Sequence, residues 1–165
     1  MGCETIAMDP ETVLMLLLAF IIGLVAGLRT MTAPAAIALA VGAGALSLGG
    51  SPLAFLGWRW TPWVFCVLAA GELVADQLPS TPSRKVPMQF GARIASGALC
   101  GAAIGVAQGA LLPGLALGVA GAVAGTLGGA WARGRLAAAF GRDLPAALIE
   151  DAVAIGLAAT VALSV

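Results

Sequence analysis

Long apolar blocks separated by short polar segments make up most of this chain. In these blocks hydrophobic residues occupy every face of a helix instead of one stripe, as they do in helices that cross lipid. The blocks cover residues 10–28, 33–48, 62–78, 93–112, 115–131 and 145–165. Since 61% of the 165 residues are hydrophobic and 10% are charged, the pattern predicts an all-α, polytopic transmembrane helix bundle. At about 20 residues per span, we expect about six short spans in a single membrane domain over residues 1–165.

Basic residues fall on one side of the membrane if the six blocks are spans. Seven of the eight Lys and Arg residues lie in or beside the first, third and fifth connections: Arg29, Arg84, Lys85, Arg93, Arg133, Arg135 and Arg142. The opposite side carries Arg59, beside three tryptophans typical of an aromatic belt. This bias predicts a multi-pass protein of the bacterial inner membrane with both termini outside the cytoplasm.

The absence of histidine and tyrosine narrows the chemistry. It excludes histidine-ligated zinc or haem, Ser-His-Asp catalysis and histidine proton relays. The chain has no Walker-type phosphate loop and no feature of nucleic-acid binding, and Cys3, Cys66 and Cys100 have no paired spacing. We therefore expect no cofactor, no nucleic-acid partner and no enzymatic activity, leave a metal open, and expect membrane lipid as a partner.

Charged residues inside the apolar blocks mark the candidate functional site: Arg29, Glu72, Asp76, Glu150 and Asp151. A charge at bilayer depth costs a few kcal/mol, so such side chains usually face a cavity or one another. In the six-span topology all five lie in the cytoplasmic half of the membrane. Because Glu150 and Asp151 are adjacent, they point about 100° apart on a helix, and we expect only one of them to face the interior.

Two interpretations of the acids remain open. Glu72 and Asp76 share one helix face, which is unfavourable for two anions unless a cation or a proton lies between them. They could form a proton or cation site, or a structural pair with Arg29. The loop that follows contains Ser83, Arg84 and Lys85, with Arg93 beyond it; these residues could contact a phosphate or lipid headgroup, or could simply form a basic cytoplasmic loop.

Glycines recur every four residues in the fourth block, at Gly97, Gly101, Gly105 and Gly109. Such a stripe lets helix backbones approach closely, either within one chain or between two copies, so a homo-oligomer through it is one prediction. Earlier in the chain, residues 27–34 interrupt an apolar run. They form either a tight polar turn or the unwound centre of a broken helix that binds ions or substrates.

Four segments carry a resemblance to a known family. They are GLR at 27–29, GELVADQLPSTPSR at 71–84, RIASGA at 93–98 and LPAALIEDA at 144–152. In these segments the chain resembles the bacterial integral-membrane family called domain of unknown function 4126. The resemblance implies a small inner-membrane protein with several spans, and it implies no particular activity.

Three functions are consistent with these features. The first is a small transporter or channel-like protein with an intramembrane carboxylate site for a proton or cation on the cytoplasmic side. The second is a protein that binds or processes a phospholipid or isoprenoid phosphate through its basic loop. The third is a non-catalytic packing subunit of a membrane complex. The lack of an obvious internal repeat counts against a transporter, because many transporters are built from repeats.

Overall fold

The computed structural model describes residues 10–76 and 87–165, which fold into α-helices joined by short turns. The helices are α1 (Pro10–Leu28), α2 (Thr32–Gly42), α3 (Thr61–Ala75), α4 (Pro87–Ala107), α5 (Leu111–Phe140) and α6 (Asp143–Ser164), with a 3-10 turn at Pro52–Gly57 between α2 and α3. The all-α prediction is therefore confirmed. By length and apolar composition, α1, α4, α5 and α6 are four helices that could cross a membrane.

Several helices differ in length from the predicted blocks. Helix α2 ends at Gly42, six residues before the end of the block at 33–48, because the chain turns there and Gly44 adopts a φ of +80°. Helix α5 is 30 residues long and continues to Phe140, beyond the predicted end at 131. Arginine and alanine, which are frequent in this extension, are good helix formers, so the helix outlasts the apolar block.

Helices α1, α4 and α5 form the tightly packed framework of the bundle. A Cβ on Gly97 would lie 2.6 Å from the carbonyl oxygen of Gly118, and one on Gly101 would lie 2.7 Å from the Cα of Gly118. Gly23 and Gly27 of α1 also approach the backbone of α5 this closely. Only glycine permits such contact, so the stripe packs helices within one chain. Gly109, with a φ of +67°, lies in the turn after α4 instead. The homo-oligomer stays a prediction.

Polar ends of the described helices meet at one end of the bundle. Contacts described below join the ends of α1, α3 and α5 to the starts of α2, α4 and α6. We call this the Arg29 end. The start of α3 lies at the other end, where Trp58, Trp60 and Trp63 are exposed to 64–70%. The two ends thus differ in chemistry as an aromatic belt and a charged site would.

Candidate functional site

Arg29 lies at the centre of the Arg29 end and is completely buried. It follows the last residue of α1, and its Nη1 and Nη2 atoms form ion pairs with Asp76, which caps α3, and Asp151 in α6. Three parts of the chain are thus joined by one guanidinium. Both carboxylates partly neutralise a charge that would be very costly to bury alone.

The three-residue turn between α1 and α2 holds the carboxylate of Glu72. Oε1 of Glu72 accepts a hydrogen bond of 2.7 Å from the backbone N–H of Thr30, and Oε2 accepts one of 2.7 Å from that of Met31. Thr30 and Met31 lie just before the first residue of α2, so no carbonyl within that helix accepts from their amides. The partial positive charge at the start of α2 also favours an anion there. The segment is therefore a tight polar turn, the first of the two predicted alternatives. Its backbone N–H groups nevertheless bind an anion, as those of an unwound helix would.

Arg93 holds the same turn from its carbonyl side. Its Nη1 atom donates hydrogen bonds to the carbonyls of Gly27 at 2.6 Å and Leu28 at 2.7 Å, the last residues of α1. A cation at a helix C-terminus complements the helix dipole. The Nη2 atom of Arg93 lies 3.9 Å from Oε1 of Glu72. The side chain predicted to contact a phosphate thus already binds the end of α1, and its phosphate contact stays a prediction.

Two hydroxyl groups complete the support of the turn. Ser96 Oγ donates to the carbonyl of Thr30 at 2.6 Å, and Thr126 Oγ1 lies 3.2 Å from the carbonyl of Gly27 and 2.8 Å from that of Ala122. Ser96 belongs to α4 and Thr126 to α5, the two helices that pack tightly through glycine. The turn is therefore fixed to the rigid framework.

A second cluster around Arg133 joins α5 to α6 and reaches α3. Its guanidinium binds Asp143 through Nε at 2.9 Å and Nη2 at 2.5 Å, and its Nη1 lies 3.8 Å from Oε2 of Glu150. Nη2 also lies 3.5 Å from the carbonyl oxygen of Asp76. The sequence pattern does not mark Arg133 or Asp143 as site residues, because the predicted end of the fifth block places Arg133 in a loop. One sequence signal could have revealed this pair: an arginine near the end of one helix lies ten residues before an acid at the start of the next.

The expectation that only one of Glu150 and Asp151 faces the interior is wrong. Glu150 is 8% exposed and Asp151 is 6% exposed. Their 100° separation on the helix directs each toward a different arginine: Arg29 for Asp151 and Arg133 for Glu150. Glu72, Asp76, Asp151 and Arg29 lie together, and Glu150 lies in the neighbouring cluster. Ser83, Arg84 and Lys85 lie outside the described residues.

A cavity of about 250 Å³ lies between the end of α3 and the start of α4. Its lining combines the polar turn, both acids of α3 and a face of α4: Thr30, Met31, Glu72, Asp76, Gln89, Ala92 and Arg93. The side chains of Glu72 and Asp76 are 14% and 13% exposed, so each retains some access to solvent. Within residues 10–76 and 87–165, no group of three or more Asp, Glu or Cys side chains is placed to hold a metal ion.

Comparison of the chain with protein-family models, curated proteins and solved structures gives no match.

Proposed function

We propose that this protein is a small transporter or channel-like protein of the bacterial inner membrane, with an intramembrane carboxylate site that takes up a proton or cation from the cytoplasm. The observation that carries the proposal is the cavity of about 250 Å³, in which Glu72 and Asp76 face Arg93 and the polar turn. Acids and arginines buried among apolar helices are costly unless they serve a pathway or one another. Here the acids pair with arginines and also line a cavity, which supports a site open to a proton or cation.

Glu72 is the best candidate for the group that carries the proton. Its carboxylate binds two neutral amides and lies 3.9 Å from the Arg93 guanidinium, whereas Asp76 pairs directly with Arg29. A proton suits the site better than a metal cation, because both oxygens of the Glu72 carboxylate already accept backbone N–H bonds and Asp76 already pairs with Arg29.

Proton flux into vesicles tests the function. In purified protein reconstituted with a pH-sensitive dye inside the vesicles, we expect an imposed pH gradient to collapse faster than in protein-free vesicles. Glu72→Gln should return the rate to that of protein-free vesicles. Glu11→Gln, the same chemical change in the first turn of α1 and away from the site, is the matched control. Equal flux for Glu72→Gln and the wild type would overturn the assignment of Glu72, and a wild-type rate equal to that of protein-free vesicles would favour the packing-subunit function.

The proposal includes a topology of six spans with both termini outside the cytoplasm. It is supported by the charge distribution, since the described basic residues Arg29, Arg93, Arg133, Arg135 and Arg142 belong to helix ends or connections at the Arg29 end, and Arg59 belongs to the tryptophan-rich end. In this topology α2 and α3, at 11 and 15 residues, are shorter than a full span of about 20 residues, and the residues that flank them complete the two crossings. The resemblance to domain of unknown function 4126 is part of the same proposal.

Cysteine labelling in intact cells measures the sidedness. On a background in which the three native cysteines are replaced by alanine, single cysteines at Ser83 and Arg142 should be protected from a membrane-impermeant maleimide. A cysteine at Gly49, in the turn between α2 and the 3-10 helix, should react. The reverse pattern of reaction would contradict the proposed orientation.

A further inference from the structure

Helix α3 is the least enclosed of the described helices. Of its fifteen residues, Pro62 and Ala69 are buried, and it packs mainly along α2. Its large apolar side chains are mostly exposed: Trp63, Val64, Val67, Leu68 and Val74. In a bilayer this face contacts lipid, which can flow around a moving helix without a large change in buried area.

At the Arg29 end, α3 is held chiefly by its two carboxylates. Glu72 binds the amides of Thr30 and Met31, and Asp76 pairs with Arg29. Among the described residues, side-chain packing is sparse at this level of the helix, since no residue of α3 after Ala69 is buried and a Cβ placed on Gly71 would meet no atom within 4 Å. Charge-assisted hydrogen bonds, and not side-chain packing, therefore fix this end of α3.

The same carboxylates form one wall of the cavity. The facing wall belongs to α4, with Gln89, Ala92 and Arg93. Movement of the end of α3 away from the turn would therefore widen the cavity between α3 and α4. Helix α4 itself is fixed by its glycine contacts with α5.

We infer that α3 is the moving part of the site, and that the Glu72 carboxylate is the latch that holds it closed. The inference rests on the proposed function and names how that site is opened. The movement also separates Asp76 from Arg29, and it leaves neither Arg29 nor Arg93 without a partner. Arg29 keeps Asp151 of α6, and Arg93 keeps the carbonyls of Gly27 and Leu28.

A proton on Glu72 is the event that releases the latch. A protonated carboxyl group has an O–H donor in place of one acceptor, so it loses one of its two bonds to the amides of Thr30 and Met31. The charged groups around it come from every neighbouring element: Asp76 on α3, Arg29 in the turn, Arg93 on α4, Arg133 on α5 and Asp151 on α6. Addition of a proton to the Glu72 carboxylate therefore favours the open state.

Distances between two spin labels test the inference without any measurement of flux. We would place labels at Gly71→Cys on α3 and Gly128→Cys on α5, on the cysteine-free background. Both positions are exposed, and a Cβ added at either would meet no atom within 4 Å. We expect one distance at neutral pH in the wild type and in Glu11→Gln. In Glu72→Gln we expect a second, longer distance, its population relative to the first raised about 10- to 100-fold, as loss of one charge-assisted hydrogen bond implies.

The labelled wild type at about pH 3.5, below the reference pKa of about 4.3 for a glutamate side chain, provides a second measurement if Glu72→Gln does not fold. We expect the longer distance to appear on acidification and to disappear when neutral pH is restored. One unchanged distance in Glu72→Gln, or in the wild type across this pH change, overturns the latch. Loss of flux in Glu72→Gln with an unchanged distance would reject the latch and leave the proposed function. A second distance in a protein without flux would reject the function and leave the latch.

Discussion

The framework of α1, α4 and α5 and the peripheral helix α3 are held in the bundle by different forces. In the framework, backbones touch: a Cβ on Gly97 or Gly101 would overlap the backbone of α5 at Gly118. In α3, Gly71 lies in open space, and the helix end is attached through Glu72 and Asp76. Close packing depends on shape, whereas the attachment of α3 depends on charge and can be altered by a proton.

This division explains how a very apolar chain keeps a polar site in order. Lipid removes most of the hydrophobic drive for helix association, so small residues and polar contacts must supply it. The glycine contacts fix Arg93, Ser96 and Thr126, which in turn hold carbonyls at the end of α1 and in the turn that follows it. The cations and amides of the site thus lie on or beside the framework, and Glu72 and Asp76 of α3 bind to them.

Removal of Arg29 should have the largest effect on stability, because this side chain joins the end of α3 to the framework. Arg29→Ala would leave Asp76 and Asp151 without their common guanidinium. Breaking a buried ion pair costs about 3–5 kcal/mol, so we expect a loss of that size in the free energy of unfolding, measured by denaturation in mixed micelles. Arg29→Lys keeps the charge but not the two-sided geometry and should lose less. An Arg29→Ala variant as stable as the wild type would show that the ion pairs do not join α3 to the framework.

A matched pair of glycine variants should have the next largest effect. Gly101→Leu forces a side chain into the backbone of α5, where a Cβ alone would lie 2.7 Å from Gly118. Overpacking of this kind costs about 1–3 kcal/mol, which should lower thermal stability in detergent. Gly128→Leu, on α5 but in open space, is the control and should behave as the wild type. Equal melting temperatures for the two variants would remove the distinction between the packed framework and the exposed surface.

Much of this architecture could be predicted from the sequence because its causes are local. Unbroken apolar blocks predict helices that can cross lipid, and a four-residue glycine period predicts close packing. The positions of Arg29, Glu72 and Asp76 within apolar blocks predict a shared site, since buried charges seek partners. The ion pair of Arg29 with Asp76 and the cavity that the two acids share follow that logic.

The remaining features depend on where helices end and on how they face one another, which a local pattern does not determine. Helix α5 extends nine residues beyond its apolar block, and this extension carries Arg133 to Asp143 and Glu150. In the predicted topology Arg93 belongs to a basic connection. In the structure it lies one helical turn before Gly97 on α4 and binds the last carbonyls of α1. Arg133 and Arg93 thus bind groups near the ends of other helices, and these contacts exist only once the bundle has assembled.

The smallest expected effect is that of removing one hydrogen bond to the turn between α1 and α2. Ser96→Ala removes the hydrogen bond of 2.6 Å from Ser96 to the carbonyl of Thr30 and leaves the glycine contacts intact. One such bond is worth about 0.5–1.5 kcal/mol, so the global free energy of unfolding should change little. The turn itself should loosen, because Thr30 would then be held by its N–H bond to Glu72 and no longer also by the bond from Ser96 to its carbonyl. Hydrogen exchange of peptides that cover residues 29–31 should therefore become faster, while exchange in α5 stays the same. Ser164→Ala, which removes a serine at the exposed end of α6, is the control and should change neither. Faster exchange in α5 as well as in the turn would mean that the framework and the polar turn unfold as one unit, which would contradict the division between them.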